Sequence, residues 1–180
     1  MSKDLKDILY TSFYFLLVLC LVYLVVTYVG QRIEVVGSSM SPTLENEDNM
    51  LVDKLSYRFH EPNRFDIVVF PYKYEPNVYY IKRVIGLPGE TVLIDEEGNI
   101  YIDGVILDEK YGKEVIKNPG LAYEPVTLGK NEYFVMGDNR NKSSDSRDGD
   151  VGFIKKSQIY GKALVRYAPF KEFKLLTTTK

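Results

Sequence analysis

Histidine and cysteine are almost missing from these 180 residues: the chain has one of each, His60 and Cys20. A single cysteine excludes an intrachain disulfide. Cys20 lies inside an apolar run, where a thiol acts as inert filler. Without paired Cys and His ligands no zinc site is expected, and no other metal or cofactor either. One histidine also argues against a Ser-His triad. In Phe59-His60-Glu61-Pro62 it reads as a turn residue, because a base there would need an acid partner and a nearby nucleophile. Charge of one sign is lacking too: 23 Lys and Arg face 25 Asp and Glu, a formal net charge of -2. With no long basic run to override that balance, a nucleic-acid partner is not expected. Internal repeats and low-complexity tracts are absent.

What is present is a long uncharged run and a β-rich remainder. From Ile8 to Val29 no residue carries a charge. As a helix this run spans roughly 33 Å at about 1.5 Å per residue, the thickness of a bilayer core. It is longer than the apolar core of a cleaved signal peptide, and no small-x-small cleavage site follows it. Apolar residues cover every face of the helix rather than one stripe, which argues against a buried core helix. Tyr10, Tyr23 and Tyr28 fall toward the two interfaces. The flanking charges do not fix the direction of insertion: Lys3 and Lys6 are offset by Asp4 and Asp7, and Arg32 follows the run.

About 150 residues remain, enough for one domain with a real core. Its hydrophobic and charged content, 45% and 27% over the chain, is that of a globular protein. Short apolar runs rich in β-branched and aromatic residues predict strands at 33–36, 50–52, 66–70, 78–85, 91–94, 100–102, 132–136 and 158–166. Gly86-Leu87-Pro88-Gly89, Glu97-Gly98-Asn99 and Asp103-Gly104 are turn signals between them. No window after residue 32 has a long helical period. The fold expected is mainly β: an antiparallel β-barrel or coiled-sheet domain behind one N-terminal transmembrane helix. Residues 108–131, with Pro119-Gly120 and Pro125, read as a longer excursion in the form of a β-ribbon.

Three clusters carry residues capable of chemistry. In Val36-Gly37-Ser38-Ser39-Met40-Ser41-Pro42 a strand gives way to a turn, and Pro42 delays any regular continuation. Such a turn can expose a serine hydroxyl beside free backbone N–H groups that stabilise an oxyanion. Gly-Ser-Ser is also common linker composition. In Tyr79-Tyr80-Ile81-Lys82-Arg83-Val84-Ile85, period two puts Lys82 and Arg83 on opposite faces, so one of the two cations is expected to face the interior. A lysine kept from water loses its proton more easily and becomes a general base, which arginine cannot do. The bland alternative is an edge lysine that snorkels to solvent. The third cluster, Met136 to Arg147, is a polar loop straight after a strand. It can orient a catalytic group, or equally be a solvated turn with Asp–Arg pairs.

Together the clusters resemble the bacterial type I signal peptidases, membrane serine proteases with a Ser/Lys dyad, over about residues 33–170. Ser39-Met40-Ser41-Pro42-Thr43-Leu44 matches every fixed position of that family's Ser-Met-x-Pro-Thr-Leu box. Arg64-Phe65-Asp66-Ile67-Val68-Val69-Phe70 resembles the next box, with Phe65 where the family usually has glycine. Tyr80-Ile81-Lys82-Arg83 resembles the base box, and Gly86-Leu87-Pro88-Gly89 follows it. Gly137-Asp138-Asn139-Arg140 through Ser143, Asp145 and Arg147, with Gly152-Phe153 after it, resembles the last. The single span and the modest stretch between Lys82 and Gly137 are similar to the Gram-positive branch.

The resemblance implies roles. Ser39 would be the acylated nucleophile and Lys82 the base. Ser143 would hold the Lys82 ammonium by a hydrogen bond. Asp145 and Arg147 would brace that loop, and Asp138 would pair with Arg83. Some family members carry a donating serine two residues before the nucleophile. Gly37 stands there, so the Ser39 N–H and a second main-chain amide near Gly37 are the expected oxyanion donors. Residues 1–7 would form a cytoplasmic tail, 8–30 the transmembrane helix, and 31–180 an extracytoplasmic catalytic domain on the cell membrane. The implied reaction is removal of signal peptides from exported preproteins after small residues one and three positions before the cut. Partners would be those preproteins, the lipid bilayer and the export machinery nearby. The competing readings are a related Ser/Lys protease with another substrate and a non-catalytic, membrane-tethered peptide-binding module.

Overall fold

The computed structural model describes residues 3–28 and 30–176, with the side chains of 3–5 and 25–28 left aside. Residues 1–2, 29 and 177–180, which belong to the expected tail, helix and β domain, lie outside the described residues, as does the side chain of Tyr28. The chain opens with a 26-residue helix, α1 (Lys3–Tyr28). It is long and apolar enough to cross a membrane, and its window Lys6–Leu24 is not buried against the protein. A helix that satisfies its own backbone groups while turning apolar side chains outward is a form the bilayer accepts. A core helix would have been covered, so that alternative falls.

The described helix includes Lys3 to Asp7, before the apolar run, because Lys, Asp and Leu are all compatible with helix. At the other end Gly30 already belongs to a strand and pairs with Asp53. The strands in order are β1 (Gly30–Glu34), β2 (Asn49–Asp53), β3 (Ile67–Tyr72), β4 (Glu75–Gly86), β5 (Thr91–Ile94), β6 (Ile100–Ile102) and β7 (Val105–Ile106). They continue as β8 (Val126–Thr127), β9 (Glu132–Met136), β10 (Ile154–Lys155), β11 (Gly161–Ala168) and β12 (Lys174–Leu175). One turn of helix, α2 (Ser56–Phe59), is the only other α segment among the described residues.

Two antiparallel sheets result. The larger has the order β1-β2-β11-β3-β4-β9-β10, with β12 on β11; the smaller has the order β7-β6-β5-β8. The fold is mainly β, antiparallel, behind one N-terminal helix. β3 and the second half of β4 are buried on both faces. Ile67, Val69 and Ile81 join Met40, Leu44, Met50 and Val52 in one cluster. Val68, Phe70 and Val84 join Tyr133, Val135 and Ile154 in another. A third cluster, around Ile85, Val92, Ile94 and Phe134, lies between the sheets.

The excursion at 108–131 is not a ribbon. It holds one 3-10 turn (Gly120–Tyr123) and the short β8, and is otherwise irregular. Several of its backbone groups bond outward: Lys113 N–H to the Asp138 carbonyl at 2.8 Å, Leu121 N–H to the Arg147 carbonyl at 2.9 Å, and Leu128 N–H to the Glu90 carbonyl at 2.9 Å. Ile116, Ala122 and Leu128 are buried and pin it to the core. The strand expected at 33–36 is centred earlier, and that at 158–166 later, because a 3-10 turn occupies Lys156–Gln158.

Candidate active site

After β1 the chain turns at Gly37, whose φ of +96° favours glycine. Its N–H donates to Asn46 Oδ1 at 2.8 Å. A tight turn follows, closed by Thr43 N–H and Leu44 N–H, both donating to the Met40 carbonyl at 2.8 and 3.0 Å. Met40 and Leu44 are fully buried. These two anchors fix the turn, and Ser39 sits beside the first. From the opposite side Asn139 clamps it: its main-chain N–H donates to the Ser39 carbonyl at 3.0 Å, and its side-chain amide to the Ser38 carbonyl at 3.0 Å. Ser41 is occupied elsewhere, donating to Glu45 at 2.7 Å.

Strand β4 delivers Lys82 to this turn. Its Nζ donates to Ser39 Oγ at 2.9 Å and to the Ile81 carbonyl at 3.1 Å, and it lies over the Tyr80 ring, 4.9 Å from the centroid. Lys82 is only 4% exposed. Burial pushes its ammonium down to a pKa of about 8, against the opposing pull of the Asp145 and Asp138 carboxylates. An amine that sheds its proton this readily, at hydrogen-bond distance from a hydroxyl, can take that hydroxyl's proton.

Arg83, the next residue, is buried as well, at 3% exposed. The expectation that one cation of the pair faces the interior is therefore corrected: both do, because both faces of β4 are covered. Arg83 binds Asp138 through two bonds, Nε to Oδ1 at 2.8 Å and Nη2 to Oδ2 at 2.6 Å. Thr43 Oγ1 donates to the same carboxylate at 2.5 Å, which ties the serine turn to the pair. Arg147 likewise donates two buried hydrogen bonds to Asp145, Nε to Oδ1 at 2.8 Å and Nη2 to Oδ2 at 2.9 Å. Asp145 accepts the Gly137 N–H at 3.0 Å, so the loop after β9 is held from within.

The expected bond from Ser143 to the Lys82 ammonium is not made. Lys82 bonds the Ile81 carbonyl instead, and the buried Ser143 hydroxyl has no partner among the described residues. It nonetheless borders the serine turn. A Cβ at Gly137 would collide with Ser143 Oγ and with the Ser39 carbonyl oxygen at once. Gly37, expected to border the oxyanion site, has its own N–H committed to Asn46. The Ser39 N–H makes no hydrogen bond among the described residues.

Sequence reasoning missed four groups. Asn139 lies inside a motif already singled out, yet no role was assigned to it. Thr43 likewise sits in the serine box. Glu109, which pairs with Arg140 at 2.6 Å, and Tyr111, whose ring lies 3.7 Å from Arg83 Cζ, come from the irregular excursion. No local pattern there signals long-range contact.

Ser39 and Lys82 open onto a cleft of about 610 Å3. One wall is the segment from Ile33 to Met40, the other the segment from Asn77 to Lys82. In the sheet, β9 pairs β4 only from Arg83 onward, so the earlier half of β4 keeps a free edge along the cleft. His60 is exposed at the end of α2, with Nδ1 3.3 Å from the Ser56 carbonyl. Among the described residues no group of His, Cys, Asp and Glu is arranged to hold a metal ion.

The family described as signal peptidase, peptidase S26, matches residues 8–168. The probable signal peptidase I-2 of Synechocystis sp. is 39% identical over 156 residues, covering 84% of this chain and 69% of its own. Signal peptidase I S of Bacillus subtilis is 40% identical over 146 residues, 77% of each chain. Signal peptidase I of Bacillus caldolyticus is 40% identical over 166 residues, 86% of this chain and 88% of the other. The crystal structure of a signal peptidase I from Enterococcus faecalis aligns with 57% of this chain and 97% of that one, at 35% identity and a TM-score of 0.45.

Proposed function

This chain belongs to the signal peptidases of peptidase family S26, and from that membership we propose that Ser39 and Lys82 are its catalytic dyad. It is a serine peptidase that acts on preproteins carrying signal peptides. The observation that carries the assignment of residues is the 2.9 Å separation of a buried, easily deprotonated amine from a hydroxyl.

In the proposed reaction the neutral Lys82 amine takes the Ser39 proton as Oγ attacks the scissile carbonyl. The ammonium then returns that proton to the leaving amine as the peptide bond breaks, which leaves an acyl-enzyme. Lys82 next takes a proton from the incoming water, and Ser39 is released with the new carboxyl end. The Ser39 N–H faces the developing oxyanion. The Gly37 N–H is held by Asn46, so the second donor is another group; the neighbouring Ser38 N–H, with no bond among the described residues, suits that part. Asp138, Arg83, Asp145 and Arg147 act by bracing.

The cleft suits an extended peptide. A substrate lying along the free half of β4 would add a strand to the sheet, with alternate side chains turned inward. Small residues one and three positions before the cut meet that requirement beside Met40 and Ile81, which line the cleft. The helix α1 spans the bilayer, with residues 1–7 on the cytoplasmic side and the β domain outside, where exported chains emerge from the export machinery. Tethering there raises the local concentration of signal peptides, whose apolar cores already lie in the lipid.

The test is processing of a purified preprotein by the full chain in detergent. Wild type should cleave it and be labelled by an acylating inhibitor at Ser39, and Ser39→Ala should do neither. Cleavage by Ser39→Ala would end the assignment.

A further inference from the structure

A second cavity lies at the edge of the sheet where the chain leaves the helix. It measures about 970 Å3. Four cations line it, Lys54, Arg58, Lys155 and Lys156, with Tyr57 and Tyr160, and no carboxylate is among its lining residues. Lys156 is already paired with Glu61 at 2.5 Å. Arg58 and Lys155 are exposed and make no ion pair among the described residues.

Strand register places this cavity beside the bilayer. Gly30 stands two positions beyond the last helical residue, Tyr28, and pairs with Asp53, which also pairs with Lys162. Lys54 and Tyr160 therefore emerge at the same edge as the helix end, whatever angle the helix takes. Both reach Gln31: Lys54 Nζ donates to its side-chain oxygen at 3.4 Å, and the Tyr160 hydroxyl donates to the same atom.

We propose that this cavity binds the headgroup of an anionic phospholipid. Cations within reach of a lipid surface attract anionic headgroups, tyrosines suit the boundary between lipid and water, and the volume accepts a glycerophosphate. The proposal rests on α1 spanning the bilayer. It adds a second attachment, off the helix axis, which fixes how the β domain sits on the membrane. The cavity also adjoins the catalytic cleft, because Tyr160 packs against Tyr79 with ring centroids 5.1 Å apart, and Tyr79 lines the cleft. A bound headgroup therefore sets the height of the cleft above the lipid.

The test uses the full chain in detergent, titrated with phosphatidylglycerol or phosphatidylcholine, with retained lipid read by native mass spectrometry. Wild type should retain phosphatidylglycerol in preference. Arg58→Gln with Lys155→Gln should lower that retention on the order of tenfold. Lys110→Gln with Lys117→Gln, an equal loss of charge at exposed sites off the cavity, should leave it unchanged. Equal losses in both pairs, or equal retention of the two lipids by wild type, would overturn the proposal. Displacement of the lipid by millimolar inorganic phosphate would also overturn it, in favour of a free-phosphate site. Because lipid retention is read without a substrate, its failure is separate from any failure of preprotein cleavage.

Discussion

Lys82 and Arg83 are consecutive residues of one strand, and their buried side chains serve opposite faces: Lys82 donates to Ser39, and Arg83 to Asp138. One short segment thus supplies both the reactive amine and a rivet for the loop that carries the clamp on the serine. The two cations meet different conditions. Arg83 is matched by a carboxylate at 2.6 Å. Lys82 has no carboxylate within ion-pairing distance among the described residues, and burial therefore dominates its titration.

That difference predicts the pH dependence of cleavage. The base must be neutral, and its ammonium is pushed down to about 8. The cleavage rate should rise roughly tenfold per pH unit below that value and level off above it. Lys82→Met should be slower by a factor of about 10² to 10⁴ on the plateau above 8, and the gap should narrow as pH falls. The same group bears on stability with a definite sign. The folded protein releases the proton near 8 and the unfolded chain near 10.5. The penalty for burying the ammonium is therefore complete below 8 and fades as pH rises toward 10.5. Lys82→Met should melt higher than wild type at pH 7 and lose that advantage at high pH. A flat pH–rate profile, or a variant less stable at every pH, would contradict the argument.

Asp138→Ala should be far worse than loss of one hydrogen bond. It leaves the Arg83 guanidinium, 3% exposed, without its carboxylate, and an uncompensated buried charge costs about 3–5 kcal/mol. Replacing both partners, Arg83→Met with Asp138→Leu, should recover much of that loss, because neither charge then needs a partner. Thermal unfolding of the two single variants and the double variant checks this. A double variant as unstable as the sum of the singles would show that the pair is not coupled.

How much of this was legible beforehand depended on the range of the contacts. The helix, the strands with period-two patterning and the turn glycines were readable because each is a local pattern. Ser39 and Lys82 were readable through motif order. The orientation of Arg83 was not, because one strand cannot reveal that its second face is also covered. The strand-like excursion misled because its apolar residues, Ile116 and Ala122, pack on distant strands rather than on a hairpin partner. Phe65 shows the opposite case. Phe65, at the place where the family resemblance led to an expectation of glycine, adopts φ +71°, the left-handed conformation that glycine favours. Packing of Phe65 on Tyr111, with centroids 5.1 Å apart, offsets that strain.

Asn139 gives a prediction that the motif alone did not. Asn139→Ala removes the side-chain bond to the Ser38 carbonyl but keeps the main-chain bond to Ser39. The stability cost should be about 1 kcal/mol. The serine turn would lose one of its two clamps, and misplacement of a nucleophile by a fraction of an ångström lowers kcat more than it raises KM. Asn139→Asp should be worse, because a carboxylate cannot donate to a carbonyl. Steady-state kinetics with a preprotein, alongside melting curves, separates these effects. Equal activity of the Ala and Asp variants would remove Asn139 from the positioning role.

Ser143 makes the sharpest separation between stability and activity. Its hydroxyl is buried and has no hydrogen-bond partner among the described residues, and a buried polar group without a hydrogen bond carries a desolvation penalty with no return. Ser143→Ala should therefore leave the melting temperature unchanged or raise it slightly. Retention of a costly group makes sense if the hydroxyl is used at a later step, in the tetrahedral intermediate, when the proton has moved to Lys82 and Ser39 Oγ is bonded to the substrate carbon and no longer accepts as well. The ammonium then needs a new acceptor, and Ser143 borders the same turn. On that argument Ser143→Ala slows turnover about tenfold without loss of stability, and Ser143→Thr, which keeps the hydroxyl, is slowed less if the added methyl fits. If Ser143→Ala instead cleaves at the wild-type rate across the pH range, the hydroxyl has no part in holding Lys82.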